Sequence, residues 1–271
     1  MNEAPMTRGE RWMRALAGEP ATPAPVWCAD APLGGTRTRF IAVVPDEHNR
    51  FVRARDNVVG LEQGWLLASA VRQAIDEDAA GARPRPIVAI VDVKSQAYGY
   101  REEMLGIHLA CAAAVDAYAS ARVAGHRVVA LIVGPAMSGA FLAHGYQANR
   151  ILALDAPGTM VHAMGKDAAA RVTRRSVEAL DALGETVTPM SYSLSAFAKL
   201  GLLDRLITDV DADAPTPAQI DRVRDALVEA IADIGSSERD LSRRLDNEAA
   251  RSTRAASIEV RRRLAAQWDA A

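Results

Sequence analysis

Two aliphatic runs, residues 86–91 and 128–133, stand out because apolar residues follow one another there without polar alternation. A strand with one solvated face alternates, so continuous Val/Ile runs predict strands covered on both faces, as in layered α/β folds. The rest of the pattern agrees. Residues 6–18 read as a short amphipathic helix, with Trp12, Met13 and Leu16 apolar and Gly18 as the stop. Residues 19–32, rich in Pro and Ala, read as a connector. From Arg39 strands and helices alternate: a strand at 40–44 and a helix at 61–80 with Leu61, Trp65, Ala68, Val71 and Ile75 at helical spacing. Next come a strand at 87–93 and a long helix at 102–124, closed by Gly125. Strands at 128–133 and 151–154 bracket a short helix from about Ser138. The long helix is apolar nearly all round, so it is expected to lie between layers.

Beyond Asp209 the pattern changes. Residues 209–217 are acidic and Pro/Thr-rich, a linker by composition, and a helix follows with Ile220, Val223, Leu227, Ile231 and Ile234 on one face. A second helix is expected to open at Ser237, with Asp240 three residues on. Its arginine-rich face and terminal Leu264 and Trp268 suit a solvated surface helix or a partner-binding tail, and both readings stand. The expected division is 1–35 for the N-terminal helix and connector, 36–209 for the central domain, and 210–271 for a helical extension.

Composition narrows the function classes. Lysine and arginine number 32 against 34 acidic residues, a net charge of −2. There is no electrostatic reason to expect nucleic acid or an anionic membrane. Only Cys28 and Cys111 occur, without a CxxC or Cys/His cluster, so no disulfide framework or zinc site is expected and a reducing compartment fits. The aliphatic runs are too short to span a bilayer, and residues 1–6 lack the basic-then-apolar pattern of a secretion signal. The expectation is a cytoplasmic protein.

The phosphate-binding loop, the dinucleotide fingerprint, the zincin motif and the nucleophile elbow are all missing. What remains is the strand–turn–helix 131–141, Leu-Ile-Val-Gly-Pro-Ala-Met-Ser-Gly-Ala-Phe. The first amides of a helix have no intrahelical acceptor and can meet a developing oxyanion without a charged side chain. Close packing explains the small residues equally well. Ser138 reads as an N-cap in preference to a nucleophile, having no orienting partner legible in sequence. A second strand–loop–helix turn, 92–103, precedes it by one helix and one strand. In a parallel sheet both turns leave the same strand ends, where ligands bind.

At these residues the sequence resembles a known family. Residues 40–207 are similar to the carboxyltransferase branch of the crotonase-like fold, which reads strand–VDTPGAYPG–AEE–helix–strand–GEGGSGGAL–helix–strand. The matching residues are Val91-Asp92, Ala97-Tyr98-Gly99 with Glu102-Glu103, residues 134–142, and the closing stretch 196–207. The strings 95–99, 136–150 and 161–166 look like the gamma subunits of malonate decarboxylases.

The resemblance implies an α/β, crotonase-like layered fold of repeated ββα units with C-terminal helices. It implies a heterodimer with a beta subunit, the active site lying at their interface. It further implies an acyl carrier protein whose CoA-derived arm presents malonyl as a thioester, and a transferase subunit that loads it. No cofactor and no metal is expected on this chain. Ala136 and Met137 occupy the two Gly-Gly positions of the pattern and are the expected oxyanion amides, with Ser138 and Gly139 shaping the helix start. The bulkier Ala-Met pair suits a smaller guest than biotin. Gln96, Ala97, Tyr98 and Gly99 form the expected opposite wall, with Gly134 at the turn. His162 is either a proton relay to the enolate or a structural histidine. Tyr98 and Tyr100 either cover the pocket or donate a hydrogen bond. Two alternatives remain: carboxyl transfer to biotin, and a non-catalytic scaffold.

Overall fold

The computed structural model describes residues 6–20, 24–81 and 83–269. Its first half contains α1 (Arg8–Ala17), β1 (Val26–Leu33), β2 (Thr36–Val43), α2 (Leu61–Asp78), β3 (Ile87–Val93), α3 (Tyr100–Met104), α4 (Ile107–Ala124) and β4 (Val128–Met137). Then follow α5 (Ser138–Ala143), β5 (Arg150–Leu154), β6 (Met160–His162), α6 (Lys166–Thr173), α7 (Val177–Thr186), α8 (Leu194–Lys199) and β7 (Arg205–Ile207). The chain ends with α9 (Pro217–Asp233), α10 (Glu248–Thr253) and α11 (Ala255–Asp269).

The strands make one seven-stranded sheet in the order β1-β2-β3-β4-β5-β7, with β6 paired to the far end of β4. Only the β1–β2 hairpin is antiparallel. Every residue of β3 is buried, as its unbroken aliphatic run requires. One face of the sheet packs on α2 and α4, the other on α1 and α9. α2 and α4 touch backbone to backbone: a Cβ on Gly64 would lie 2.7 Å from the Ala110 carbonyl oxygen.

Five expectations are corrected. The connector at 19–32 holds an edge strand, β1, whose Pro25 and Pro32 flank or end its ladder, where proline is tolerated; residues 21–23 of that stretch and residues 1–5 lie outside the described residues. The long helix is two helices, because Gly106 takes φ +84° between α3 and α4. Nor is α4 sandwiched: Leu105 and Leu109 are more than half exposed. The linker at 209–217 is packed, with Val210 and Ala212 buried and the Trp12 indole donating to the Ala212 carbonyl at 3.1 Å. No helix opens at Ser237; Asn247 caps α10 instead, accepting from the Ala250 amide at 2.9 Å.

The N-terminal helix bears directly on the strand ends. Thr7 and Glu10 form a capping box that starts α1, and the Gly9 amide donates to Asp92 Oδ2 at 2.9 Å. Arg8 pairs with Asp213 at 2.6 Å and reaches Thr159 Oγ1 at 3.2 Å. These contacts fasten the C-terminal ends of β3 and β4 and the start of β6 from below.

Candidate active site

The parallel β3 and β4 send their two turns out at the same end of the sheet. The turns meet: the Gly139 amide donates to Gln96 Oε1 at 2.9 Å. Gln96 is itself held by a short parallel bridge to Val59, in which the Ala97 amide donates to the Val59 carbonyl at 2.8 Å. Residues 57–59 thus run alongside the second turn, a contact without any sequence signal.

The strand β4 continues further than its aliphatic run, because β6 pairs with residues 135–137. This changes which amides are free. Ala136 is paired on both sides, with Val93 and with Val161. The Val161 amide faces away from β4 and donates to the Tyr192 carbonyl, while the Lys94 amide donates to Asn57. In a parallel ladder the Ala136 N–H must then face the Met160 carbonyl and the Met137 N–H the Val93 carbonyl. The same alternation directs the Ser138 amide to the His162 carbonyl. Of the four amides at 136–139, Gly139 alone is held by a side chain, and a side chain can rotate away.

Ser138 does not cap α5. Met137 is the cap position, without a side-chain cap bond, and Ser138 is the first helical residue at φ +57°. That left-handed backbone costs a non-glycine residue on the order of 1 kcal/mol and lets the strand turn abruptly into the helix. Gly134 lies one step below, where a Cβ would stand 2.2 Å from Asp92 Oδ1. Asp92 is buried, and burial raises its carboxyl above the ordinary range against the opposing pull of the Gly9 amide.

A cavity of about 510 Å³ opens at this turn, lined by Ser138, Gly139 and His162 with an apolar wall that includes Phe141, Met190 and Phe197. A second, of about 740 Å³, lies across Ser138 and Ala163 and is rimmed by Gln96, Tyr98 and Arg171. Ala97 lines neither; it packs with Phe51, Leu61 and Ile107. Gly99 starts α3 beneath the Arg53 side chain, and Tyr100 is 85% exposed.

His162 ends β6. Its Nδ1 lies 3.1 Å from the Met164 amide, and its ring stacks on Tyr192 at 3.9 Å between centroids, tilted by 15°. Burial lowers its pKa below the ordinary 6.5, opposed by the Met164 backbone, so the ring is neutral at pH 7. By contrast His144 is wholly buried: Tyr118 Oη lies 3.0 Å from Nδ1 and the Ile90 carbonyl 2.9 Å from Nε2. It is a packing residue.

Among the described residues no three His, Cys, Asp or Glu side chains come together as a metal site, and no helix is long and apolar enough to cross a membrane.

The model of the malonate decarboxylase gamma subunit family matches residues 54–268. The chain is 55% identical to one in a Pseudomonas malonate decarboxylase hetero-tetramer in complex with coenzyme A, covering 97% of this chain and 100% of that one at a TM-score of 0.91. It is 53% identical, over 97% and 100% of the chains, to one in the Pseudomonas MdcD–MdcE hetero-dimer, at a TM-score of 0.87. A curated relative, the malonyl-S-ACP:biotin-protein carboxyltransferase of Malonomonas rubra, is 37% identical over 167 residues. The match covers 60% of this chain and 57% of that relative's length. A more distant likeness to transcarboxylase 12S, 19% identical at a TM-score of 0.56 over 78% of this chain and 36% of that one, concerns the fold alone: the crotonase-like layered α/β fold expected from sequence.

Proposed function

Because the chain belongs to the malonate decarboxylase gamma-subunit family, we propose that it works with a beta subunit to decarboxylate a malonyl thioester carried on the CoA-derived arm of an acyl carrier protein. A transferase subunit would load that arm, and the complex would sit in the cytoplasm, in line with the free thiols of Cys28 and Cys111.

The reaction breaks the bond between the carboxylate and the α-carbon. The electron pair moves onto the thioester as an enolate, CO2 leaves, and a proton added to the α-carbon gives the acetyl thioester. Charge therefore migrates from the carboxylate to the thioester oxygen. A donor at that oxygen favours the transition state over the ground state. The observation that carries this reading is the meeting of the two turns, Gly139 on Gln96, at the edge of a cavity that His162 also lines. Gln96 Oε1 occupies the Gly139 amide as a thioester oxygen would. Rotation of the carboxamide exposes that N–H, and His162 is the second candidate donor. Ala136, Met137 and Ser138 frame the turn through their ladder bonds.

An exposed apolar face supports the heterodimer. Trp65 and Leu66 of α2 and Leu105 just before α4 line a groove of about 740 Å³, and these three and Leu109 of α4 are each 39–58% exposed. A contiguous apolar patch of this kind marks an interface.

The test is reconstitution. The isolated chain should release almost no labelled CO2 from malonyl-S-carrier, and adding the beta subunit should restore release. Full activity of this chain alone would refute the reading. The Malonomonas relative favours carboxyl transfer to biotin as the second reading; label appearing on a biotin carrier protein, in place of free CO2, would establish it.

A further inference from the structure

Tyr192 belongs to no motif in the sequence, yet it engages His162 and the two residues around it, Val161 and Met164. Its ring lies flat against the imidazole, its hydroxyl donates to the Met164 carbonyl at 2.7 Å, and its own carbonyl accepts from the Val161 amide at 3.2 Å. Met164 is the residue whose backbone meets His162 Nδ1, the amide at 3.1 Å and the carbonyl at 3.0 Å. One ring nitrogen cannot serve both groups. If Nδ1 carried the proton it would face the Met164 N–H donor to donor and leave that amide without a partner, while competing with the Tyr192 hydroxyl for the same carbonyl. If Nδ1 is bare it accepts from the amide, and every group has a partner. The proton then resides on Nε2, which makes no hydrogen bond among the described residues.

Building on the thioester reading above, we infer that Tyr192 is a positioning residue that holds His162 in the neutral Nε2–H tautomer and so presents an N–H donor to the thioester oxygen. The tautomer of a histidine is set by the bond its other nitrogen makes, and a neutral imidazole can polarise a carbonyl as an electrophile. During the reaction Nε2 keeps its proton and only strengthens its hydrogen bond as the oxygen gains charge. The α-carbon takes its proton from water. Lys166 completes the group, its Nζ 5.4 Å over the Tyr192 ring and paired with Asp181 at 2.6 Å.

The experiment uses the complex of this chain with its beta subunit, with 15N-histidine in this chain only. The His162 signals are those lost in His162→Phe. They should report a protonated Nε2 and a bare Nδ1. Tyr192→Phe keeps the stacked ring but removes the hydroxyl, so the Met164 carbonyl loses the donor that competes with an Nδ1–H. It should shift the population toward the Nδ1–H form and lower kcat on malonyl-S-carrier by roughly tenfold to a hundredfold, with KM little changed. Tyr192→Leu should do the same and broaden the ring signals. A protonated Nδ1 in the wild type, or a tautomer and kcat both unmoved by Tyr192→Phe, would overturn the inference. Wild-type turnover in His162→Phe with the expected tautomer in the unsubstituted complex would instead overturn the part of the thioester reading that makes His162 a donor, leaving that role to the Gly139 amide.

Discussion

Replacing Gly134 by alanine tests whether the reactive turn is held from beneath. The added Cβ would lie 2.2 Å from Asp92 Oδ1 and 2.7 Å from its Cγ. Asp92 is 5% exposed and holds the Gly9 amide at 2.9 Å, so it cannot swing aside without releasing α1. Overpacking of this kind costs about 1–3 kcal/mol, and losing a hydrogen bond to a charged group adds about 1.5–3 kcal/mol. Gly134→Ala should therefore destabilise the protein by about 3–5 kcal/mol. At roughly 2–4 °C per kcal/mol for a chain of this size, the melting midpoint should fall on the order of 10 °C. Thermal and urea denaturation followed by far-UV circular dichroism measure the midpoint and the free energy, with a second arm in an Asp92→Ala background. Removing the carboxylate removes the obstacle, so Gly134→Ala should be far milder there. An unchanged denaturation midpoint in the single variant would refute the packing argument. Equal losses in both backgrounds would refute the role of the Asp92 carboxylate.

Other consequences follow from the same structure. Leu109→Asp should abolish co-purification with the beta subunit while leaving the chain's melting midpoint within about 2 °C, because the side chain is 58% exposed. Gly64→Leu should prevent stable folding, since its side chain would enter the Ala110 backbone; a folded, soluble variant would show that the close approach of α2 and α4 is not needed. His144 gives a pH dependence of stability. Its pKa is pushed down to about 4 by burial, against the Ile90 carbonyl bond. A folded pKa below the unfolded 6.5 means stability that is full above pH 6.5 and lost as pH falls towards about 4. The loss is about 3 kcal/mol by linkage. Urea midpoints at pH 7 and pH 5 should differ in wild type and differ much less in His144→Phe. His162, whose pKa burial also lowers, should give a kcat that is flat above about pH 6.5 and declines only on acidification. A rate that rises steadily as pH drops to 6 would show an imidazolium acid instead.

The central sheet was legible because β3 and the core of β4 are unbroken Val/Ile runs, a pattern that burial on both faces imposes. β1 was hidden: Pro25 and Pro32 read as punctuation, yet an edge strand needs only one ladder and tolerates them. Gly106 was lost inside a helical period, since apolar spacing alone does not report a positive φ. At the site, the pairing of two turns was legible from their order along the sheet. The state of their amides was not. Ser138 before an apolar stretch has the look of a cap, but β6, a distant three-residue strand, extends β4 through Met137 and moves the helix start. Tyr192 was illegible for the same reason, lying thirty residues beyond His162 and joined to it only by the tertiary fold. The ladder also bears on which variant can test the turn. Proline at Met137 would break the sheet bond to Val93 as well as any oxyanion contact, so it does not separate the two.

His162→Phe is the cleaner perturbation, since a phenyl ring can keep the stack on Tyr192 while removing both nitrogens. The decisive measurement is single-turnover release of labelled CO2 from malonyl-S-carrier by the assembled beta–gamma heterodimer carrying that substitution. If His162 donates to the thioester oxygen, the rate should fall by about 10²–10³, the usual cost of one oxyanion donor, with assembly intact. An intact heterodimer that turns over at the wild-type rate would contradict that role and leave the Gly139 amide as the remaining candidate donor of this chain.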